Sequence, residues 1–350
     1  MSTINLQVNP IKPWKLSPRE IAQPALILFA AALAAYLIVE TTGFDGKLAF
    51  VSLFFLLATG ALFTFKFVTR GKQAAFDSLA SSIMLSASLV VFLPVFNILF
   101  ATIAKGAAGI HKSLFTDTMQ SASYMDPIEN GGLLHAIVGT LFLIILTMII
   151  SVPTGILTAL YLTEIKGPGS RFIQFTVQAM SGVPSVVAGL FIFASIILTT
   201  PIKASGIAGA LALSILMIPT VTRTAQEVLL LIPNDLREAG LAMGATQWKT
   251  VSTIVVPAAR NGLLTATILG VARIAGETAP LIFTIGGADG LNWNPFSNYQ
   301  AALPIYVWKG LLLGTPESIQ RAWTGILVLL VLVLGLFILA RVFGSRKVGR

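Results

Sequence analysis

ILGVARIAGETAPLIFTIGG, Ile268 to Gly287, is apolar enough to dissolve in lipid, yet it carries Arg273 and, four residues on, Glu277. Arginine cannot shed its proton inside a protein, and each such charge at the centre of an inserted helix costs about 2.5–3.5 kcal/mol. The stretch therefore reads as a membrane helix whose two charges are kept for a reason. With the apolar run taken as about 262–285, Arg273 lies roughly 16 Å along it at 1.5 Å per residue, near mid-bilayer. Glu277 falls one turn further on the same face, close enough to pair. Ala272 with Gly276, and Ala275 with Ala279, give small-xxx-small spacings that let another helix approach. Pro280 lacks the N–H that the Gly276 carbonyl would accept, so the face is polar, notched and able to bend.

The rest of the chain agrees with a membrane setting. Of 350 residues, 55% are hydrophobic and 11% charged, where a soluble domain carries about 25% charged. With no cysteine, disulfides, thiolate metal sites and thiol nucleophiles are excluded. The first twenty residues are polar, contain Pro10, Pro13 and Pro18, and lack a small-residue cleavage pattern, so the N-terminus is expected to be retained.

Eight runs reach bilayer length, at about 21–39, 48–68, 78–104, 133–162, 172–199, 206–226, 260–285 and 321–342. With the N-terminus in the cytoplasm, fifteen of the twenty-three basic residues fall inside: Lys12, Lys15, Arg19, Lys66, Arg70, Lys72, Lys166, Arg171, Arg237, Lys249, Arg260, Arg341, Arg346, Lys347 and Arg350. Lys47, Lys105, Lys112, Lys203, Lys309 and Arg321 fall outside, and Arg223 and Arg273 lie within spans. Such an excess orients a membrane protein, so the net charge of +9 reads as a topology signal, with a lipid surface and no nucleic acid as partner. The even number of runs places both termini in the cytoplasm. The expected fold is all-α and polytopic: a basic leader at 1–20, a transmembrane hairpin at 21–77, and a six-span core at 78–350 with a cytoplasmic loop at 227–258.

Pro94, Pro153, Pro184, Pro219 and Pro280 each sit inside a core span, where proline bends a helix. Neighbours can re-satisfy the freed backbone in a membrane, so the pattern reads either as ordinary membrane composition or as helices that break and move. Pro184, Pro219, Pro280 and Gly276 are the candidate hinges. Between spans seven and eight, Tyr299, Tyr306 and Trp308 with Leu303 and Leu311 fit a short helix anchored at the interface.

In the cytoplasmic loop, IPNDLREAGLAMGATQWKTVSTIVVP, Ile232 to Pro257, Asp235 and Glu238 have the spacing of a capping box. The spacing predicts a helix of about ten residues ended by Gly244, with Leu236, Ala239 and Met243 on one apolar face. Such a helix suits the membrane surface or a groove on another protein. No Gly-x-x-x-x-Gly-Lys-Ser/Thr occurs, so the chain builds no phosphate-cradling loop of its own.

A fixed positive charge on a bending helix suits an oxyanion, because the guanidinium fork matches its oxygens at any pH. Glu277 orients Arg273 and keeps the anion from binding too tightly to leave. Arg223, after Pro219, either adds a second positive charge to that path or snorkels to the interface. The Arg273–Glu277 pair also reads as a self-neutralising structural bridge, although a buried pair is weak evidence of stabilisation.

Two resemblances join these readings. Glu238, Ala239, Gly244, Ile254 and Pro257 stand at the offsets of the signature of bacterial ABC importer permeases, with Gly240 replacing an alanine and Val256 a leucine. ARIAGETAPLIFT (Ala272–Thr284) and SGVPSVVAGLF (Ser181–Phe191) resemble phosphate-specific ABC importer permeases of the PstA type, and the similarity extends over most of 78–345. The resemblance implies a type I permease core that moves inorganic phosphate, with Arg273, Glu277, Arg223 and Thr278 along the substrate path. It makes the segment with Asp235, Glu238, Ala239, Gly240, Met243 and Gly244 the coupling helix. It further implies a PstC-like permease in a heterodimer, two PstB-like ATPase subunits and a PstS-like external phosphate-binding protein, in a bacterial inner membrane. No cofactor is expected on this chain; ATP and magnesium belong to the partner ATPase. The usual subunit has six spans, so the N-terminal hairpin is a departure whose role stays open.

Three other readings stand beside this one: a permease for another oxyanion, a proton-coupled secondary transporter cycling Glu277, and a scaffold or assembly protein without transport. An enzyme is not expected, because His111 and His135 lie outside a span or at its edge with no second ligand or nucleophile near in sequence. No catalytic or metal site is assigned.

Overall fold

The computed structural model describes residues 18–43 and 46–344, and every regular element among them is helical. Most of the leader at 1–20, including Lys12 and Lys15, lies outside the described residues, as do Arg346, Lys347 and Arg350. The first helices are α1 (Pro18–Thr42), α2 (Lys47–Ala107), α3 (Leu134–Leu160), α4 (Ser170–Ser181), α5 (Ser185–Ile192) and α6 (Gly206–Leu230). Then come α7 (Asn234–Ala242), α8 (Gln247–Thr250), α9 (Val256–Ala275), α10 (Ala279–Thr284), α11 (Leu303–Leu313) and α12 (Pro316–Gly344). Single π-helical turns extend α3 at Tyr161–Ile165 and α5 at Phe193–Ile197, and a third joins α8 to α9 at Val251–Val255.

Among the described residues six helices are long and apolar enough to cross a membrane, seven with the bent pair of α4 and α5. At 61 residues, α2 has far more residues than the roughly 20 that one crossing needs. Gly71 interrupts it with φ 86° and ψ 178°, a conformation that falls to glycine because it has no Cβ. Counting its two arms separately gives eight spans.

The chain divides into two compact units at Ile98/Leu99, inside α2. In the first unit Ala31, Ala35, Ala58 and Ala75 are buried, while Leu26, Phe29, Leu48 and Leu56 are exposed. Small side chains thus make the close approach and large ones are left for lipid.

The second unit is built on α3, α6 and α9. Gly155 lies against Val221, Gly262 against Val228, and Gly270 against Val221 and Met217, where an added Cβ would sit 2.3–2.9 Å from the facing side chains. Their core joins Leu143, Leu213, Met217, Ile274, Leu281 and Ile285. The end of α2 joins this unit through the Gly106 carbonyl, which accepts from the Thr324 hydroxyl at 3.1 Å.

Three of the five prolines do not break their helices: α2, α3 and α6 run on through Pro94, Pro153 and Pro219. Pro219 is therefore not a break; it is buried, and the tightly packed neighbours of α6 hold the helix together around the missing hydrogen bond. The short helix expected between the last two spans forms as α11, with Tyr299 outside it. In α11, Leu303 and Tyr306 are buried against α3 and α12, and Trp308, Leu311 and Leu312 face outward.

Candidate functional site

α8, the following π turn and α9 form one rod from Gln247 to Ala275, and Arg273 occupies its last turn. The helix stops at Gly276, Glu277 and Thr278 lie in the break, and α10 begins at Ala279. The sequence reading had one helix bent at Pro280. Instead Pro280 sits in the first turn of α10, where a missing N–H costs nothing. An unbroken helix would have lost the bond to Gly276 and pressed the proline ring on its carbonyl, so the chain ends one helix at the glycine and starts another.

Arg273 Nη1 donates to Glu277 Oε1 across this break. The guanidinium side chain remains 48% exposed and Glu277 14%. Leu269, Ala272 and Gly276 on the same flank are exposed too, and a Cβ on Gly276 would meet nothing within 4 Å. On the opposite flank Val271, Ile274 and Ala275 belong to the core. The chain thus buries one side of this helix end and leaves the charged side uncovered.

The second interruption lies beside it. Between α4 and α5 the chain bends by 106° at Gly182–Pro184, and Pro184 precedes the first turn of α5. Gly189 of α5 packs on Pro280: an added Cβ would sit 2.6 Å from the Pro280 Cα and 2.8 Å from its carbonyl oxygen. The two stretches SGVPSVVAGLF and ARIAGETAPLIFT therefore meet next to their helix breaks. Ser205 N–H donates to the Thr284 carbonyl at 2.9 Å, tying the start of α6 to the end of α10.

The other path candidates are less direct. Thr278 is partly buried just before α10 with no side-chain capping bond, and its carbonyl accepts from Leu281 and Ile282. Arg223 is partly buried on α6, and its side chain makes no hydrogen bond or ion pair among the described residues. The facing of Gly270 on Met217 and Val221, and of Gly262 on Val228, shows α6 and α9 antiparallel. That register sets Arg223 about two turns from the level of Arg273, toward the end of the bundle that carries α7.

α7 begins at Asn234 after Pro233, with no side-chain capping bond. The capping box is therefore not formed. The proline starts the helix earlier, leaving Asp235 inside the first turn, where a carboxylate still favours the helix dipole. The expected end holds: Gly244 has φ 78°, and its N–H donates to Leu241 at 2.9 Å while Ala245 donates to Gly240 at 3.2 Å.

Leu236, Glu238 and Ala239 of α7 and Met243 at its C-terminal cap are exposed, Met243 at 87%. Gly240 is buried. A Cβ there would sit 2.7 Å from Thr250 Cγ2, 2.9 Å from Thr250 Oγ1 and 2.9 Å from Ile254 Cδ1. This crowding accounts for glycine where the signature has alanine. Gly240→Ala is expected to cost about 1–3 kcal/mol through overpacking. Adding Thr250→Ala should recover most of it, measured as the rate at which protease cuts the 234–250 segment.

Arg237 turns the other way. Its Nε and Nη2 grip the Glu164 carboxylate at 2.9 and 2.8 Å, Nη1 donates to the Ile232 carbonyl at 2.7 Å, and Nη2 to Leu229 at 2.9 Å. The Glu164 hydrogen bonds raise the guanidinium pKa above its ordinary value. Gln247 Nε2 donates to the Glu164 carbonyl at 2.5 Å. Sequence reasoning missed Glu164, whose one signal was an acid closing an apolar run just before Lys166.

At the opposite end Arg321, one of the basic residues assigned to the outer side, is 2% exposed. Its Nη2 donates to the carbonyls of Asp126, Pro127 and Asn130 at 3.2, 2.7 and 2.8 Å. Lys309 pairs with Asp289 at 2.8 Å, and Tyr124 reaches the same carboxylate at 3.4 Å. Burial, and then the Asp289 charge, raises the Tyr124 hydroxyl pKa above its ordinary value. His111 contacts the carbonyls of Gly109 and Gly131 at 2.9 and 3.3 Å, which suits a loop-holding part.

Residues 151–349 match the family of binding-protein-dependent transport system inner membrane components. The phosphate transport system permease protein PstA of Haemophilus influenzae is 40% identical over 256 residues, covering 71% of this chain and 87% of its own. PstA of Pasteurella multocida is 37% identical over 281 residues, 77% of this chain and 96% of its own. PstA 1 of Mycobacterium tuberculosis is 35% identical over 259 residues, 73% and 84%. A chain of the inward-facing MetNI methionine ABC transporter aligns at 21% identity and TM-score 0.45, over 61% of this chain and 93% of its own.

Proposed function

Since the chain belongs to the binding-protein-dependent transport permeases, within their PstA group, we propose that it forms half of the path by which an ATP-driven importer moves inorganic phosphate. It is a multi-pass inner-membrane permease. The observation that carries the phosphate reading is identity of 35–40% to PstA proteins over 71–77% of the chain. The uncovered guanidinium at the end of α9 supplies the chemistry: a fixed cation, matched to a tetrahedral oxyanion, on a flank that a second permease would complete. The ATP-driven reading thereby stands over the proton-coupled one.

In this reading the end bearing α7 faces the cytoplasm, as do both termini, in keeping with the excess of basic residues there. A PstC-like permease forms the other half of the path. Two PstB-like ATPase subunits bind ATP and magnesium and receive α7 through Leu236, Ala239 and Met243. A PstS-like protein delivers phosphate at the opposite end, near the loop held by Arg321. The breaks at Gly182–Pro184 and Gly276–Thr278 are the points at which the path yields.

Uptake of labelled phosphate by the assembled complex in liposomes tests the reading. ATP-dependent uptake that excess sulfate does not suppress is expected; uptake by this chain alone in a proton gradient, without an ATPase, would sink it. A sharper test concerns Glu277. With Glu277→Gln the guanidinium loses its neutralising partner and holds the anion longer. Half-saturation should fall while maximal uptake drops about five- to tenfold, since tighter ground-state binding slows release.

A further inference from the structure

Glu164 and Arg237 hold the α7 helix to the end of α3, and neither residue touches the substrate path. The contact is a two-pronged grip between groups distant in the chain, with the Glu164 side chain only 5% exposed and Arg237 20%. A lysine could not reproduce it, because a point charge has no planar fork. The same guanidinium takes the Leu229 carbonyl in the last turn of α6, and the Ile232 carbonyl just beyond. Both carbonyls lie at or just past the end of α6, so one side chain ties three elements together.

Two further observations set the pair apart from ordinary surface bridges. The π turn Tyr161–Ile165 presents Glu164, and the π turn Val251–Val255 lies under α7. Wide turns of this kind recur where helices deform at functional sites. A cavity of about 440 Å³ opens here, lined among others by Thr163, Glu164, Lys166, Asn234, Arg237 and Gln247. The ion pair lies in the wall of this cavity, with the Gln247 Nε2 bond to the Glu164 carbonyl beside it.

We infer that the Glu164–Arg237 pair is the strut that carries displacement of α7 into α3, and that Glu164 is a positioning residue for the coupling of ATP hydrolysis to transport. The inference rests on the permease reading above. When the ATPase moves α7, the grip obliges the end of α3 to follow, and α3 is packed along α6. Without the carboxylate, α7 moves and the span lags behind.

The experiment uses the full importer in liposomes, with Glu164→Gln in this chain, and measures ATP hydrolysed and phosphate moved together. In parallel, spin labels at Lys166→Cys and Asp235→Cys report the distance between the end of α3 and α7; the chain has no native cysteine to compete. Glu164→Gln should keep hydrolysis within about twofold while phosphate moved per ATP falls about tenfold. The narrow label distance of the wild type should broaden. An unchanged ratio of phosphate to ATP overturns the inference, and so does an unchanged distance distribution. Where Glu164→Gln does not assemble, Arg237→Lys is measured against the same outcomes. A wild-type complex that hydrolyses ATP but moves no phosphate would overturn the functional reading instead, and the label distances would still decide the strut.

Discussion

Arg273→Ala should lower ATP-driven phosphate uptake by about a hundredfold, close to 3 kcal/mol, and leave insertion and assembly unchanged. The guanidinium is 48% exposed and pairs with Glu277, while the core side of the same turn is carried by Val271, Ile274 and Ala275. Its removal therefore opens no cavity among packed side chains. What is lost is a charge-assisted contact to the anion, about 1.5–3 kcal/mol, and Glu277 is left facing the path as an uncompensated negative charge. Arg273→Lys should fall between the two, keeping the charge without the fork. Uptake near the wild-type rate would remove the anion path from consideration. Failure of the variant to co-purify with the second permease would make the pair a structural bridge.

A large effect on folding is expected at Gly189. A Cβ there would lie 2.6 Å from the Pro280 Cα and 3.1 Å from its carbonyl carbon, and main chain cannot rotate out of the way as a side chain can. Gly189→Val should push α5 off α10 and cost about 3 kcal/mol, at the upper end of the usual overpacking range. Both transport and the yield of folded protein in the membrane should collapse. Gly276→Ala is the control. It lies in the neighbouring motif, has φ −103° and nothing within 4 Å of an added Cβ, so yield should match the wild type. Equal losses at both glycines would mean that α5 and α10 do not pack as described.

The spans were legible because apolar length is set by bilayer thickness, and the pairing of Arg273 with Glu277 followed from helical spacing. The helix breaks were not. Hydropathy is blind to whether Gly276–Thr278 is helix or turn, and Pro280 bends a helix or begins one according to what packs on it, which is Gly189 from another span. The burial of Arg321 was hidden for a related reason: its partners are backbone carbonyls at 126, 127 and 130, which leave no mark in residue identity. Glu164 lies 73 positions from Arg237, so nothing local announced their meeting. Gly240, in contrast, was visible as an oddity in a signature, and only the side chains of Thr250 and Ile254 explain it.

The rod from Gln247 to Ala275 carries Arg273 in its last turn, so the guanidinium stands where the aligned peptide dipoles leave about half a negative charge. An ion drawn toward it meets a field already softened by these carbonyls as well as by Glu277. Dwell times there should be brief, and purified complex should carry no retained phosphate: a turnstile rather than a reservoir.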